Sequence, residues 1–84
     1  MASAYARRVA DQLDRDERRV LTATPPAGQS ATARIVAGQG DGQVRYRLRR
    51  RGLIRMTHPD GKGRAWVYRT TFGDEVVALL AVKA

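Results

Sequence analysis

The segment from residue 44 to residue 54 has the sequence Val44-Arg45-Tyr46-Arg47-Leu48-Arg49-Arg50-Arg51-Gly52-Leu53-Ile54. Val44 and Leu48 are one helical turn apart, so they share the inner face of a helix whose other faces carry arginines. Gly52 is a typical helix stop, because glycine readily adopts the left-handed conformation found there. The pattern predicts a helix over residues 42–51, capped by Asp41, that turns directly into a strand.

The positive charge of the chain is concentrated around this segment. Ten of its sixteen Lys and Arg residues lie between Arg34 and Arg69, where the only acids are Asp41 and Asp60, so this region carries +8, the net charge of the whole chain. A charge confined to one region indicates a surface for a polyanion. A GC-rich genome could explain why arginine is used instead of lysine, but it does not explain the clustering.

A β-hairpin is expected after the basic helix. Residues 53–58 alternate in character, residues 59–63 have the Pro, Asp and Gly composition of a turn, and residues 64–70 form the return strand. Trp66 and Tyr68 fall on one face of that strand. We expect them to pack beneath the hairpin rather than to stack on bases.

Two helices are expected at the N-terminal end. Ser3 can cap a helix that ends near Gln12, and Asp14 with Glu17 three residues later forms a capping-box pattern for the next helix. The two segments could also join as one long bent helix. The prolines at 25 and 26 end the second segment.

Two further helices complete the predicted elements. Ser30 or Thr32 is expected to cap a short helix that carries Ile35 and Val36, and Thr71 is expected to cap the last helix. The last helix is apolar over more than half of its circumference. A helix of that kind needs two packing partners, its own core and a second surface such as the same helix of another subunit.

In this order of elements, the chain resembles the winged helix-turn-helix family of MarR-, PadR- and ArsR-like regulators. The residues that carry the resemblance are the 44–54 segment, with its Leu-x-x-x-Gly-Leu-Ile pattern, the hairpin with Gly63 and Arg64 at its tip, and the Thr71-Phe72-Gly73 start of the last helix. The expected fold is mainly α with a β-hairpin: a three-helix core, a wing and a C-terminal helix. Residues 1–13 would form an extra N-terminal helix and residues 14–84 the winged-helix core of a single domain.

The expected DNA contacts lie on the recognition helix, about residues 41–51, and on the basic wing, about residues 58–64. Gln43 and Tyr46 lie toward the N-terminal half of the helix, where such helices contact base edges, and Arg47, Arg49 and Arg50 suit phosphates or a guanine. The complete predicted set is Gln43, Arg45, Tyr46, Arg47, Arg49, Arg50, Arg55, Lys62 and Arg64.

The resemblance implies a homodimer on a pseudo-palindromic DNA site, with half-sites about one helical turn apart. The residues expected at the subunit interface are Tyr5, Val9, Val77 and Leu80. The length of the chain leaves little room for an effector pocket, and we expect no small-molecule effector.

Catalysis and metal binding are not expected. The chain has no Cys and one His, His58, and its two serines have no neighbouring base, so neither a nucleophile–base pair nor a metal-ligand set is visible. The Gly38-x-Gly40-x-Gly42 spacing follows no predicted strand, so a nucleotide cofactor is not expected either. No apolar run reaches the length of a membrane span or of a signal peptide, which suggests a cytoplasmic protein.

The sequence therefore predicts a sequence-specific double-stranded DNA-binding protein, a small transcriptional regulator of a bacterium, phage or plasmid. Two alternatives stay open. A winged helix can also act as a protein–protein adaptor, which the apolar last helix favours. The basic surface could instead bind RNA, or bind DNA without sequence preference as an architectural protein.

Overall fold

Four helices and a three-stranded antiparallel sheet form the computed structural model, which describes residues 3–34, 40–57 and 64–83. In chain order the elements are α1 (Ala4–Gln12), α2 (Arg15–Ala23), β1 (Ala31–Arg34), α3 (Gly40–Arg50), β2 (Ile54–Thr57), β3 (Arg64–Arg69) and α4 (Thr71–Lys83).

The sheet has the strand order β1-β3-β2, with β3 in the centre. Strands β2 and β3 form the predicted antiparallel pair, in which Ile54 lies opposite Arg69 and Thr57 opposite Trp66. The turn between them, which includes His58 and Lys62, lies outside the described residues. The hairpin prediction is therefore confirmed for its two strands.

The segment that was predicted to form a short helix forms strand β1 instead. A helix was predicted to begin at Ser30 or Thr32, but residues 31–34 are extended and pair with β3, with Ala31 opposite Val67. The physical reason is the second edge of β3, which would otherwise present unpaired backbone groups. Ile35 and Val36, which the predicted helix was to carry, lie outside the described residues. The sheet is thus larger by one strand than the sequence suggested.

The first two helices begin where their capping residues predict. The hydroxyl of Ser3 accepts a hydrogen bond from the backbone N–H of Ala6 at 3.0 Å. Asp14 and Glu17 form the complete capping box, each side chain accepting from the backbone N–H of the other residue. Leu13 and Asp14 are both extended. The chain therefore forms two separate helices and not the single bent helix that was the alternative.

The C-terminal end of α3 explains the Leu-x-x-x-Gly-Leu pattern. Gly52 has a φ of 75°, and its N–H donates to the carbonyl of Arg49 at 3.0 Å, while the N–H of Leu53 donates to the carbonyl of Leu48 at 3.1 Å. This pair of bonds is a Schellman motif, which is usually sealed by an apolar contact across it. Leu48 and Leu53 are both fully buried, and so supply that apolar pair.

Thr70 joins the end of α3 to the beginning of α4. Its backbone N–H donates to the carbonyl of Leu53 at 3.0 Å, and its hydroxyl donates to the carbonyl of Gly52 at 2.6 Å and accepts from the N–H of Gly73 at 2.9 Å. Thr70, and not Thr71, is therefore the cap of α4. At the other end of α3, Asp41 lies within the first turn, since the helix begins at Gly40.

The core lies between the helices and one face of the sheet. Helix α4 packs mainly on α1, helix α2 packs on α3, and the buried side chains of all four helices meet Leu53 and Ile54 at the start of β2. A smaller apolar patch, formed by Ala65 and Val67 of β3, packs against Tyr46 of α3. The basic helix is therefore fixed between α2 and the sheet.

Candidate nucleic-acid interface

Helix α3 has the two-sided character that the sequence predicts. Val44 and Leu48 are buried, whereas Gln43, Arg47 and Arg50 lie on its exposed side at successive turns, with Arg49 beside them. At 1.5 Å per residue, 11 residues span about 16 Å. The exposed side of this short helix therefore presents one amide group and three guanidinium groups.

The N-terminal end of α3 is tied to α2 by an ion pair with two hydrogen bonds. Arg19 donates from Nη2 to Oδ1 of Asp41 at 2.8 Å and from Nη1 to Oδ2 at 3.3 Å. The hydrogen bonds from Arg19 hold the pKa of Asp41 below its ordinary value. Asp41 therefore orients α3 rather than repelling a polyanion from it.

The C-terminal end of α3 is tied to α2 through a buried carboxylate. Glu17 is 4% exposed, and its Oε2 lies 3.4 Å from Nε of Arg51 and 4.0 Å from Nε of Arg47. Arg51 also donates to Oε1 of Gln12 at 3.2 Å. Arg51 is thus a packing residue, in agreement with its predicted place on the inner side of the helix.

Arg47, which was predicted to contact a phosphate or a guanine, lies close to two acids of the α2 region. Its Nη2 is 3.6 Å from Oδ2 of Asp14, yet its side chain keeps 43% of its exposure. The pKa of Asp14 is lowered, first by the hydrogen bond from the backbone N–H of Glu17 and further by the charge of Arg47. A phosphate that binds Arg47 would therefore compete with carboxylates of α2.

These pairs change the distribution of charge that the sequence suggested. Arg47, Arg51 and Arg69 are all paired with acids from outside the basic region, Arg69 through a 2.9 Å contact with Asp74. Arg49, Arg50 and Arg55 are exposed and form no ion pair with any residue of 3–34, 40–57 or 64–83. Asp14 and Glu17 are remote in sequence from the arginines they pair with, and Asp74 lies on a different element from Arg69, so the charge count could not show which arginines are neutralised.

Arg49 and Arg55 meet at a surface cleft of about 330 Å³ between the end of α3 and β2. Thr57 and Thr70 also line it, together with Gly52, Ile54 and Met56. Two guanidinium groups and the hydroxyl of Thr57 around an open cleft are suited to an oxyanion such as a phosphate of a nucleic-acid backbone.

Two of the predicted DNA-binding residues are less exposed than expected. Tyr46 was expected to point away from the core, but it is half-buried and packs against Ala65 and Val67. Arg45 is also half-buried, and its charge contributes to the lowered pKa of Asp41. Periodicity along one helix does not show where a sheet will lie against it, which is why Tyr46 was placed on the wrong side.

The hairpin contributes exposed groups of a different kind. Arg55 and Arg64 are exposed, as predicted. Trp66 was expected to pack beneath the hairpin, but it is 47% exposed, because the strand turns the alternate residues Ala65 and Val67 to the core instead. Lys62 at the predicted wing tip lies outside the described residues.

The residues predicted for a subunit interface do not form one exposed surface. Val9 is 3% exposed and belongs to the core of this chain, so it is not available to a second subunit. Tyr5 is 61% exposed and its ring stacks on Phe72 at 5.4 Å. Val77 and Leu80 are partly buried and pack on the core.

Among the residues that the structure describes, no group of three His, Cys, Asp or Glu side chains could hold a metal ion. None of the helices described is long and apolar enough to cross a membrane.

Comparison with known proteins was negative: no family model, no curated protein and no solved structure matched the chain.

Proposed function

We propose that the protein is a winged-helix DNA-binding protein that inserts α3 into the major groove of duplex DNA and acts as a small transcriptional regulator. The proposal rests on which arginines are paired with acids and which are not. The acids of α2 and α4 neutralise the inner arginines. Arg49, Arg50 and Arg55 lie exposed near the C-terminal end of α3 and form no ion pair within the part of the chain that the structure describes.

The contacts of α3 with its neighbours suit a helix that recognises base edges. Helix α3 is rigidly oriented, because Asp41 at its start and Arg51 near its end are both tied to α2. Gln43 is exposed and carries both a donor and an acceptor, which suits the edge of an adenine. We assign base recognition to Gln43 and phosphate contacts to Arg49, Arg50 and Arg55.

The winged-helix interpretation rests on the order α3, β2, β3 and α4, with the hairpin following α3 directly. Strand β1 lies where the sequence predicted a helix, so the part of the motif before α3 differs from the expectation. The proposed partner is double-stranded DNA, bound by a homodimer. Of the proposed interface residues, Tyr5, Val77 and Leu80 are retained and Val9 is withdrawn.

Fluorescence anisotropy with random duplexes, a selected duplex pool and matched hairpin RNA, at several salt concentrations, tests the proposal. We expect duplex binding with one enriched palindromic sequence and a log–log salt slope near −5, for about six phosphate contacts per complex. Salt-sensitive binding without enrichment would indicate an architectural protein, and a preference for hairpin RNA would indicate an RNA binder.

A protein–protein adaptor is the second candidate function. Its support is two exposed apolar side chains, Tyr5 near the start of α1 at 61% and Val82 near the end of α4 at 83%. An adaptor would show no salt-sensitive binding to duplex DNA, so the same titration separates the two candidates.

A further inference from the structure

The sheet has an exposed aromatic face whose rings take no part in the proposed duplex contact, although that contact shares Arg55 with this face. Side chains alternate along a strand, and the buried Ala65 and Val67 of β3 define its inner face. Trp66, which is 47% exposed, and the half-buried Tyr68 therefore lie on the outer face. Helix α3 packs on the inner side through Tyr46, so the outer face and the exposed side of α3 are different surfaces.

The residues around this aromatic pair are polar and basic. Thr32 of β1 and Thr57 of β2 are the cross-strand partners of Trp66, and Arg55 is the partner of Tyr68. Arg55 and Arg64 are exposed. The three strands together contain four arginines and no acidic residue, so no carboxylate of the sheet opposes an approaching polyanion.

One end of the outer face opens into a shallow cleft of about 410 Å³. Arg55, Tyr68, Arg69 and Phe72 line it, and small residues complete the wall. This volume lies within the range of about 300–1,000 Å³ that is typical of ligand clefts. Aromatic rings beside a guanidinium group can hold the flat face of a base and its phosphate together.

We propose that the outer sheet face, defined by Thr32, Arg55, Thr57, Arg64, Trp66 and Tyr68, binds a single-stranded nucleic-acid segment. Trp66 and Tyr68 stack on two successive bases, and Arg55 and Arg64 contact the backbone. Side chains two residues apart on a strand are separated by about 6.6 Å, which leaves room for an unstacked base on each ring. Aromatic platforms with neighbouring basic groups are the usual means of binding unpaired strands. The proposal does not require α3 to bind duplex DNA.

The chain offers a direct probe, because Trp66 is its only tryptophan. The experiment titrates the full chain with oligo-dT and oligo-U of about ten nucleotides, a length within the usual site size, and follows tryptophan emission. We expect quenching that saturates and weakens with salt. A stronger response to either oligomer supports the proposal and distinguishes DNA from RNA as the source of the strand.

Variants test whether oligonucleotide binding depends on this face. Trp66→Ala should weaken oligonucleotide affinity, measured by anisotropy, by about tenfold, and Trp66→Phe by much less, because phenylalanine retains a stacking surface. Trp66→Thr tests the same loss while keeping a residue that favours strands. Arg18→Ala, which removes an exposed guanidinium group from α2, is the control and should leave oligonucleotide affinity unchanged. Duplex affinity should stay within twofold in all of these variants.

Three results would overturn the proposal. The first is an emission spectrum that does not change at saturating oligonucleotide. The second is an unchanged oligonucleotide affinity in the folded Trp66→Ala and Trp66→Thr variants. The third is a shift of emission that depends on protein concentration without nucleic acid, which would assign the face to a second copy of the chain. Arg50→Ala keeps this test independent of the proposed function, since it should weaken duplex binding and leave the quenching of Trp66 intact.

Discussion

The carboxylate of Glu17 lies 3.4 Å from the guanidinium Nε of Arg51, and this contact joins the first turn of α2 to the residue that directly follows α3. The same carboxylate accepts the backbone N–H of Asp14 at 3.1 Å and thereby completes the capping box of α2. A buried carboxylate requires such partners, because its desolvation is otherwise costly. One acidic residue therefore starts α2 and fixes the orientation of α3.

Replacing Glu17 should separate its two roles. Glu17→Gln keeps a side chain that can complete the capping box but loses the charge that faces Arg51, and we expect a loss of about 1 kcal/mol in the free energy of unfolding. Glu17→Ala loses both interactions, and we expect a loss of about 2–3 kcal/mol. Urea unfolding at neutral pH measures both values.

Asp16→Asn is the matched control, since Asp16 is an exposed acid of the same turn, and it should change the free energy of unfolding little. If Glu17→Gln were as stable as the parent chain, the pair with Arg51 would contribute nothing, and the capping box alone would account for Glu17.

Much of the local structure could be predicted because it depends on neighbouring residues. Ser3, Asp14 and Gly52 act on backbone groups within a few positions, so the beginnings of α1 and α2 and the end of α3 follow from sequence alone. Strand β1 depends on a partner more than thirty positions away, since Ala31 pairs with Val67. Nothing local distinguishes that segment from a short helix.

The sequence predicted the buried and basic sides of α3, but not which arginines of the basic region are neutralised by acids. Helical periodicity correctly separated Val44 and Leu48 from the basic side of α3. It could not show that Glu17 and Asp74 neutralise Arg51 and Arg69, because these acids lie on other elements. The exposure of Trp66 was missed for a similar reason: alternation gives two faces of a strand, and only packing shows which face is covered.

Gly73 should not tolerate a side chain. A Cβ at this position would overlap the carbonyl oxygen of Leu53, which belongs to backbone and cannot move aside. Helix propensity alone predicts that Gly73→Ala stabilises α4 by about 1 kcal/mol, whereas the overlap predicts a destabilisation of about 1–3 kcal/mol. The sign of the change in thermal or urea unfolding therefore decides between them, and a more stable Gly73→Ala variant would refute the close approach.

Acid should weaken the attachment of α3 to α2. The folded-state pKa of Asp41 is below its ordinary value because Arg19 donates hydrogen bonds to the carboxylate. Its contribution to stability is therefore complete above the ordinary pKa of an aspartate and is lost as the pH falls through the lowered value. We expect Asp41→Asn to be less stable than the parent chain at neutral pH.

The difference in the free energy of unfolding between Asp41→Asn and the parent chain should shrink as the pH is lowered from about 5. Asp14 also has a lowered pKa, but both proteins contain it, so its contribution cancels in the difference. Urea unfolding at a series of pH values provides the test, and a difference that is independent of pH would exclude an ionised Asp41 as the source of the effect.

Residues on the exposed side of α3 should differ in how they affect DNA binding. Arg50→Ala removes an exposed guanidinium group that forms no ion pair with the described residues, so it should weaken binding to all duplex sequences and reduce the salt slope by about 1. Gln43→Ala should relax base preference by about 1–3 kcal/mol at one position and leave the salt slope unchanged. Anisotropy on selected and random duplexes measures both effects.

Arg18→Ala provides the matched control, because Arg18 is an exposed arginine of α2 on a surface that we do not assign to DNA. Arg51→Ala should instead lower stability, since Arg51 faces the buried Glu17. Arg47→Ala should weaken DNA binding less than Arg50→Ala and lower stability less than Arg51→Ala, because Arg47 must leave Asp14 and Glu17 to reach a phosphate. Equal losses on selected and random DNA for Gln43→Ala and Arg50→Ala would contradict the division between base and phosphate contacts.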